Sequence, residues 1–303
     1  MGESGVKKIV LLENMSRYHN QLSNIIDNKQ DILVSGSNIK TIDGYSILGE
    51  GNIVLPQIVY IPNEVLMPDH PIEGVFYMIG EDDPHESYCT FEALENETIV
   101  TFSKNSVQFS IDGCQTWNEL SPNVASPVIN AGDMISFKSI GYKNGENDKG
   151  TFTVNKNFNL KGNVMSLLFG DDGYKSYDLT GYDYAFKCLF LNCTTLQSVS
   201  NDFLPATTLS DNCYDSMFQG CTSLIIAPEL PATTLSDNCY DSMFKGCTAL
   251  NYIKALFTTT PGSKYTTDWV NGVSSTGTFV KNAAATWNVT GVNGIPSGWT
   301  IRL

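Results

Sequence analysis

Charge is scarce in this chain. Asp, Glu, Lys and Arg together make up 17% of its 303 residues, against roughly 25% in an average soluble protein. With hydrophobic residues at 42%, the composition excludes a disordered polyelectrolyte and a charged coiled-coil rod. Basic residues are scarcer still: 18 Lys plus Arg face 32 Asp plus Glu, a net charge of −14. That field opposes a phosphate backbone, so nucleic acid is not expected as a partner. No stretch approaches the roughly 18 consecutive apolar residues of a membrane span, and no membrane insertion is expected. The longest apolar run near the start, Ile9 to Leu12, is too short for a signal-peptide core. The expectation is synthesis and folding in a cytoplasm, any extracellular role then needing another exit such as lysis of a host cell.

Motifs for chemistry are equally thin. The three histidines, His19, His70 and His85, are far apart in sequence, with no Ser or Cys beside them in a recognisable nucleophile setting. The eight cysteines show no C-x-x-C spacing, which removes the usual basis for a zinc or redox site. The twelve-residue D-x-D-x-D-G calcium loop is missing. Acidic clusters at Glu81, Asp82 and Asp83 and at Asp171 and Asp172 sit beside Gly or Pro. They read as solvated loop tips, or alternatively as a Ca²⁺ site. A glycosidase would need two carboxylates facing each other across a sugar, a distance that sequence does not supply. No catalytic residue, cofactor or metal is assigned, and the chain is expected not to be an enzyme.

What is present is repetition. Leu204 to Leu224 reads LPATTLSDNCYDSMFQGCTSL and Leu230 to Leu250 reads LPATTLSDNCYDSMFKGCTAL, identical at 19 of 21 positions at a spacing of 26. A degenerate copy lies upstream, where Leu189, Phe190, Cys193, Thr194 and Leu196 match Met217, Phe218, Cys221, Thr222 and Leu224. A worn copy at Trp269, Val270 and Gly272 follows Met243, Phe244 and Gly246. A unit this short cannot close its own core, so neighbours must stack. Leu209, Cys213, Tyr214, Met217 and Phe218 have helical spacing and Leu224 to Ile226 favours a strand, which predicts a short helix plus a short strand per unit. The F-x-G-C-T-S-L core resembles leucine-rich repeats of the BspA type, over about residues 175 to 275, and implies an α/β solenoid. Cys213 repeats as Cys239 and Cys221 as Cys247, the pattern of small buried ladder residues, although stacking would also bring such pairs within reach of a disulfide.

Upstream, period-two alternation at Val100 and Phe102, at Val107, Phe109 and Ile111, at Ile135 and Phe137, and at Phe152 and Val154 predicts an antiparallel β-sandwich over residues 54–165. Asp112-Gly113 and Asn144-Gly145 are its expected tight turns. Ser110, Asp112, Thr116 and Trp117 lie close to the S-x-D-x-G-x-T-W pattern of the Asp box of sialidase propellers. Here the glycine comes one place early and Cys114 takes its position. One copy builds no propeller, so a structural hairpin is expected.

The N-terminal region, residues 1–53, differs from both. Leu11, Met15, Tyr18, Leu22 and Ile25 follow the a/d rhythm of a coiled-coil seam over about two heptads; a single amphipathic helix on a neighbouring surface is the other reading. Residues 29–53, KQDILVSGSNIKTIDGYSILGEGNI, resemble a segment of tailed-phage fibre proteins. In that family a small intertwined trimeric β-element follows a short helix. Ile39, Ile42, Ile47 and Leu48 are too few for a monomeric core, and three copies could bury together what one cannot.

Exposed aromatics complete the inventory. Tyr174, Tyr177 and Tyr182 crowd the start of the repeats, and Tyr252, Tyr265 and Trp269 crowd their end; they read either as sugar-stacking candidates or as packing that closes the terminal coils. The fold class expected is therefore multidomain: a helix with a trimeric β-element, a β-sandwich, and a leucine-rich-repeat solenoid with its cap over 166–303. The resemblances imply a homotrimeric head or tail fibre or decoration protein on the surface of a tailed-phage virion, such as a crAss-like phage of gut Bacteroidales. It would meet other virion proteins through its N-terminus and a host-surface glycan or protein through its repeats. The competing readings are a bacterial surface leucine-rich-repeat adhesin and a glycan-cleaving tailspike.

Overall fold

In the computed structural model the chain is rich in β-strand, with few helices and mixed sheets. The structure describes residues 41–42, 45–46, 58–61, 76–79, 84–139 and 150–303. The seam residues Leu11, Met15, Tyr18, Leu22 and Ile25, together with Ile39, Ile47 and Leu48, lie outside the described residues, as does the Asn144-Gly145 turn.

The chain divides into two compact units, residues 1–83 and 84–303. In the first, β1 (Thr41–Ile42) pairs antiparallel with β2 (Tyr45–Ser46), which places Ile42 opposite Tyr45. Strand β3 (Ile58–Ile61) pairs with β4 (Phe76–Ile79) in parallel, where an antiparallel arrangement was expected. The long connection through residues 62–75 permits this, since parallel pairing needs a crossover and cannot use a tight turn.

The second unit opens with seven strands: β5 (Cys89–Ala93), β6 (Val100–Phe102), β7 (Val107–Ser110), β8 (Asn118–Leu120), β9 (Met134–Lys138), β10 (Phe152–Val154) and β11 (Phe158–Gly162). Each period-two segment of the sequence lies on one of them, except that Ile111 falls just past β7 and is exposed. A four-residue helix α1 (Ser166–Phe169) then leads to β12 (Leu196–Val199). One sheet runs β12-β11-β5-β9-β7-β8, antiparallel except for the β11–β12 pair; β10 and β6 form a second, two-stranded sheet. Phe91 and Phe137 of the larger sheet meet Phe152 of the smaller at ring-centroid distances of 5.0 Å each.

The repeats continue this core. Phe152 stacks on Phe190 at 5.9 Å, Phe190 on Phe218 at 5.5 Å and Phe218 on Phe244 at 5.9 Å, the last two pairs within 10° of parallel. A second column runs Phe186, Tyr214, Tyr240. Both columns end on Trp269, which is fully buried.

No helix forms at Leu209–Phe218. Residues 211–220 are instead a run of consecutive turns in which hydrogen bonding alternates residue by residue. The N–H groups of Cys213, Asp215, Met217, Gln219 and Cys221 reach back three residues to a local carbonyl. Those of Asn212, Tyr214, Ser216, Phe218 and Gly220 donate instead to Asp237, Cys239, Asp241, Met243 and Lys245 of the next copy. The backbone enters left-handed φ at every fourth residue, Asn212, Ser216 and Gly220, and again at Asn238, Ser242 and Gly246. An α-helix admits no such residue. A period of four and a period of 3.6 bury the same side chains over two turns, so Leu209, Cys213, Tyr214, Met217 and Phe218 all point inward as the pattern required.

The strand half of each unit grows along the chain. Ile226 makes a single parallel bridge to Tyr252. Strands β13 (Tyr252–Ala255), β14 (Thr278–Lys281) and β15 (Thr300–Arg302) then form a parallel sheet. The far end is closed by indole N–H groups: Trp269 donates to Gly294 O at 2.8 Å, Trp287 to Phe257 O at 3.2 Å and Trp299 to Ser274 O at 2.7 Å. Lys281 Nζ is buried and donates to Trp287 O, Asn288 Oδ1 and Ala285 O, which fixes the loop between them.

Candidate functional site

All eight cysteines are free thiols, six of them buried. In the repeats Cys193, Cys221 and Cys247 donate S–H to the carbonyls of Phe152, Phe190 and Phe218, each one layer back, at 3.0 to 3.2 Å. Burial pushes the Cys193, Cys239 and Cys247 thiols up to about 12 and raises Cys89, Cys213 and Cys221 well above the ordinary range. These ladders are structural and chemically quiet.

The acidic clusters are engaged. Asp171 takes Lys138 Nζ at 2.5 Å and the Tyr88 hydroxyl at 2.8 Å, and the lysine contact chiefly holds its carboxyl below the usual range. Asp172 pairs with Lys175 at 3.1 Å. Glu81, Asp82 and Asp83 lie outside the described residues. Among the described residues no group of three or more His, Cys, Asp or Glu side chains could hold a metal ion, and no helix is long and apolar enough to cross a membrane.

The loop between β7 and β8 closes on Asp112. Its carboxylate accepts Thr116 Oγ1 at 2.5 Å, the Thr116 and Gln115 amides at 3.0 and 3.1 Å, and Ser110 Oγ at 2.7 Å. The Thr116 hydroxyl is the main reason that Asp112 stays ionised far below the ordinary carboxylate range. Trp117 leaves the loop to pack on Tyr88, with Lys138 Nζ 4.1 Å above its ring. The hydrogen bonds of the Asp112 carboxylate are all internal to the hairpin, which makes it a clasp.

The aromatic candidates separate. Trp269 is enclosed by Phe244, Phe257 and Phe279, so its indole meets no solvent. Tyr182 packs edge-on against Phe169 at 5.0 Å. Tyr265 is half-buried, with Lys264 Nζ 5.3 Å from its ring and paired to Asp237. The side chain of Tyr174 lies outside what is described. Tyr177 is 54% exposed at the start of the repeats.

Tyr252 has the most suggestive surroundings. Buried Ile253 and Phe279 point inward from β13 and β14, so Tyr252 and Thr278 stand on the outer face. The pairing register aligns Ile226, Tyr252, Thr278 and Thr300 in one row across the ladder. Ile225 and Ile226 are exposed, and Lys254 and Glu229 pair at 2.8 Å beside the row. An aromatic ring flanked by aliphatic and hydroxyl side chains can stack on a sugar face and bond its hydroxyls. Ile225 and Ile226 were read from sequence only as strand formers; their doubled apolar character between copies is the signal that could have placed them on this surface.

One further grouping has no sequence signal, because it joins three separated segments. His85 Nδ1 lies 2.9 Å from Ser136 Oγ and 3.8 Å from Cys114 Sγ, and Ser136 Oγ lies 2.7 Å from Thr90 Oγ1. The chain matches no family model, no curated protein and no solved structure.

Proposed function

We propose that the chain is a homotrimeric fibre or decoration protein of a tailed-phage particle. Residues 1–53 seat it among other virion proteins, and the repeats project outward to bind a host-surface glycan or protein. In finer terms the fold is a trimeric N-terminal β-element, a β-sandwich spacer, and a solenoid of BspA-type leucine-rich repeats whose helix is replaced by a turn ladder. The observation that carries this reading is the resemblance of residues 29–53 to fibre segments, placed ahead of a stacked, acidic repeat body. The outward row at Tyr252 supplies a shallow contact, and trimerisation makes shallow contacts sufficient, since three weak sites engage a repetitive surface with avidity. No catalysis is required.

Imaging intact particles of the phage that encodes the chain tests the proposal. The expected result is three-fold density at a defined position on head or tail. Particles that lack the protein altogether would overturn it.

A further inference from the structure

We infer that the outward strand face of the repeats binds an uncharged glycan, with Tyr252 as its stacking platform and the Lys254–Glu229 pair as its polar arm, an inference that rests on the host-binding reading and names its ligand class. The two near-identical copies carry the first step. They match at 19 of 21 positions and then identity stops: the next five residues are IIAPE after Leu224 and NYIKA after Leu250, different at every position. Exposure alone does not account for the break. Thr207, Thr208 and Thr222 are exposed, as are Thr233, Thr234 and Thr248, and these three pairs are still identical. The copies hold their scaffold in common and differ in the segment that builds the strand face.

That segment supplies both halves of a sugar site. Ile226 bridges to Tyr252, and Tyr252 pairs with Thr278, so an aromatic side chain stands between an aliphatic and a hydroxyl one across three layers. Ile225 and Ile226 stay 48% and 46% exposed, where a solvated sheet face ordinarily carries polar side chains. Two residues along the strand from Tyr252, Lys254 Nζ meets the Glu229 carboxylate at 2.8 Å across the layers. The equivalents of these two residues in the other copy are Pro228 and Ala255, which form no ion pair, so the pair exists only because the copies differ. Both charged side chains remain partly exposed, 38% and 29%. The ammonium can donate to a sugar hydroxyl and the carboxylate can accept from one, while the tyrosine ring takes the C–H face of a pyranose.

Charge selects among glycans. Lys254 is matched by Glu229, and Arg302, the cation in register with it, stands two strands further on, its backbone about 10 Å away. The platform therefore offers a polyanion no uncompensated charge beside Tyr252, and the net −14 of the chain repels one at longer range. A neutral saccharide loses nothing in that field.

Binding of the full-length protein to surface-immobilised polysaccharides, read by interferometry, tests the inference. Mannan, glycogen and galactan serve as neutral probes, and hyaluronan and alginate as acidic ones. Binding to at least one neutral probe is expected, and it should hold between about 0.1 and 1 M NaCl, where the Debye length falls from about 10 to about 3 Å. Tyr252→Ala should weaken it about tenfold or more, a loss of about 1.4 kcal/mol. Tyr252→Phe keeps the ring and should retain most of the affinity, and Thr248→Ala, in the segment that the copies share, should leave it unchanged. Binding to the acidic probes alone, no binding to any neutral probe, or equal affinity with and without the Tyr252 ring would overturn the inference. A trimer seated on the particle that ignores the neutral probes would sink this inference and leave the fibre reading standing; Tyr252-dependent binding by a chain absent from particles would do the reverse.

Discussion

Tyr214 carries a hydroxyl that the packing does not use. Its ring is buried in the column between Phe186 and Tyr240, and its oxygen has no hydrogen-bond partner. Removing an unsatisfied buried polar group relieves a cost of about 1–3 kcal/mol, so Tyr214→Phe should leave the urea midpoint unchanged or raise it. A clear fall would mean that the hydroxyl has a partner after all. At Gly246, φ is 75° and an added Cβ would make only ordinary contacts with Gly220 Cα and N, both at 3.8 Å. The cost of Gly246→Ala is therefore the left-handed backbone alone, about 1–2 kcal/mol. Gly220→Ala should cost more, because its Cβ would also collide with Asn192 Oδ1. Asp112 gives a pH test. Its folded pKa is depressed, so its stabilisation is fully present above the unfolded value of about 3.9 and is lost as pH falls towards the folded one. The Tm gap between the wild type and Asp112→Ala should be open at pH 7 and narrow steadily below about pH 4.

At the scale of elements, the turn ladder explains why two nearly identical copies lie side by side. Each run bonds half its N–H groups to itself and half to its neighbour, so a copy alone would leave five donors such as Asn212 and Gly220 unpaired. Its aromatic column is equally shared, and Phe218→Ala should cost about 3–5 kcal/mol in denaturant unfolding, the range of large-to-small core substitutions. The repeat itself and its buried faces were legible because identity at a spacing of 26 forces stacking, whereas stacking left open whether the cysteines pair, and the free thiols needed the structure. The helix was misread because periodicity reports which side chains are inside and says nothing of φ. A signal for the turn run was nevertheless present. Asn212, Ser216 and Gly220 recur every fourth residue, and Asn and Gly tolerate the left-handed region, whereas a stable helix seldom carries such a series. Tyr252 was singled out as an aromatic, but its neighbours Ile226 and Thr278 come from other copies and needed the register to be seen. His85 and Cys114 were unreadable as a pair for the same reason: the contact depends on how β5, β7 and β9 align.

For the molecule as a whole, the described strands and repeats from 84 onward share one core. Strand β12 of the first repeat completes the six-stranded sheet, and Phe152 begins the column that ends on Trp269. Residues 84–303 should therefore unfold in a single transition, seen as coincident curves for tryptophan fluorescence at the C-terminal cap and far-ultraviolet dichroism. Two separated transitions would show that the sheets and the repeats are independent. The N-terminal residues bear the remaining part of the account, since the proposed attachment and avidity both depend on three chains meeting there. The most direct measurement is the solution mass of the full-length protein by light scattering at micromolar concentration. A trimer of 33.3 kDa chains is predicted, one that persists on dilution; a well-folded species with the mass of a single chain would contradict it.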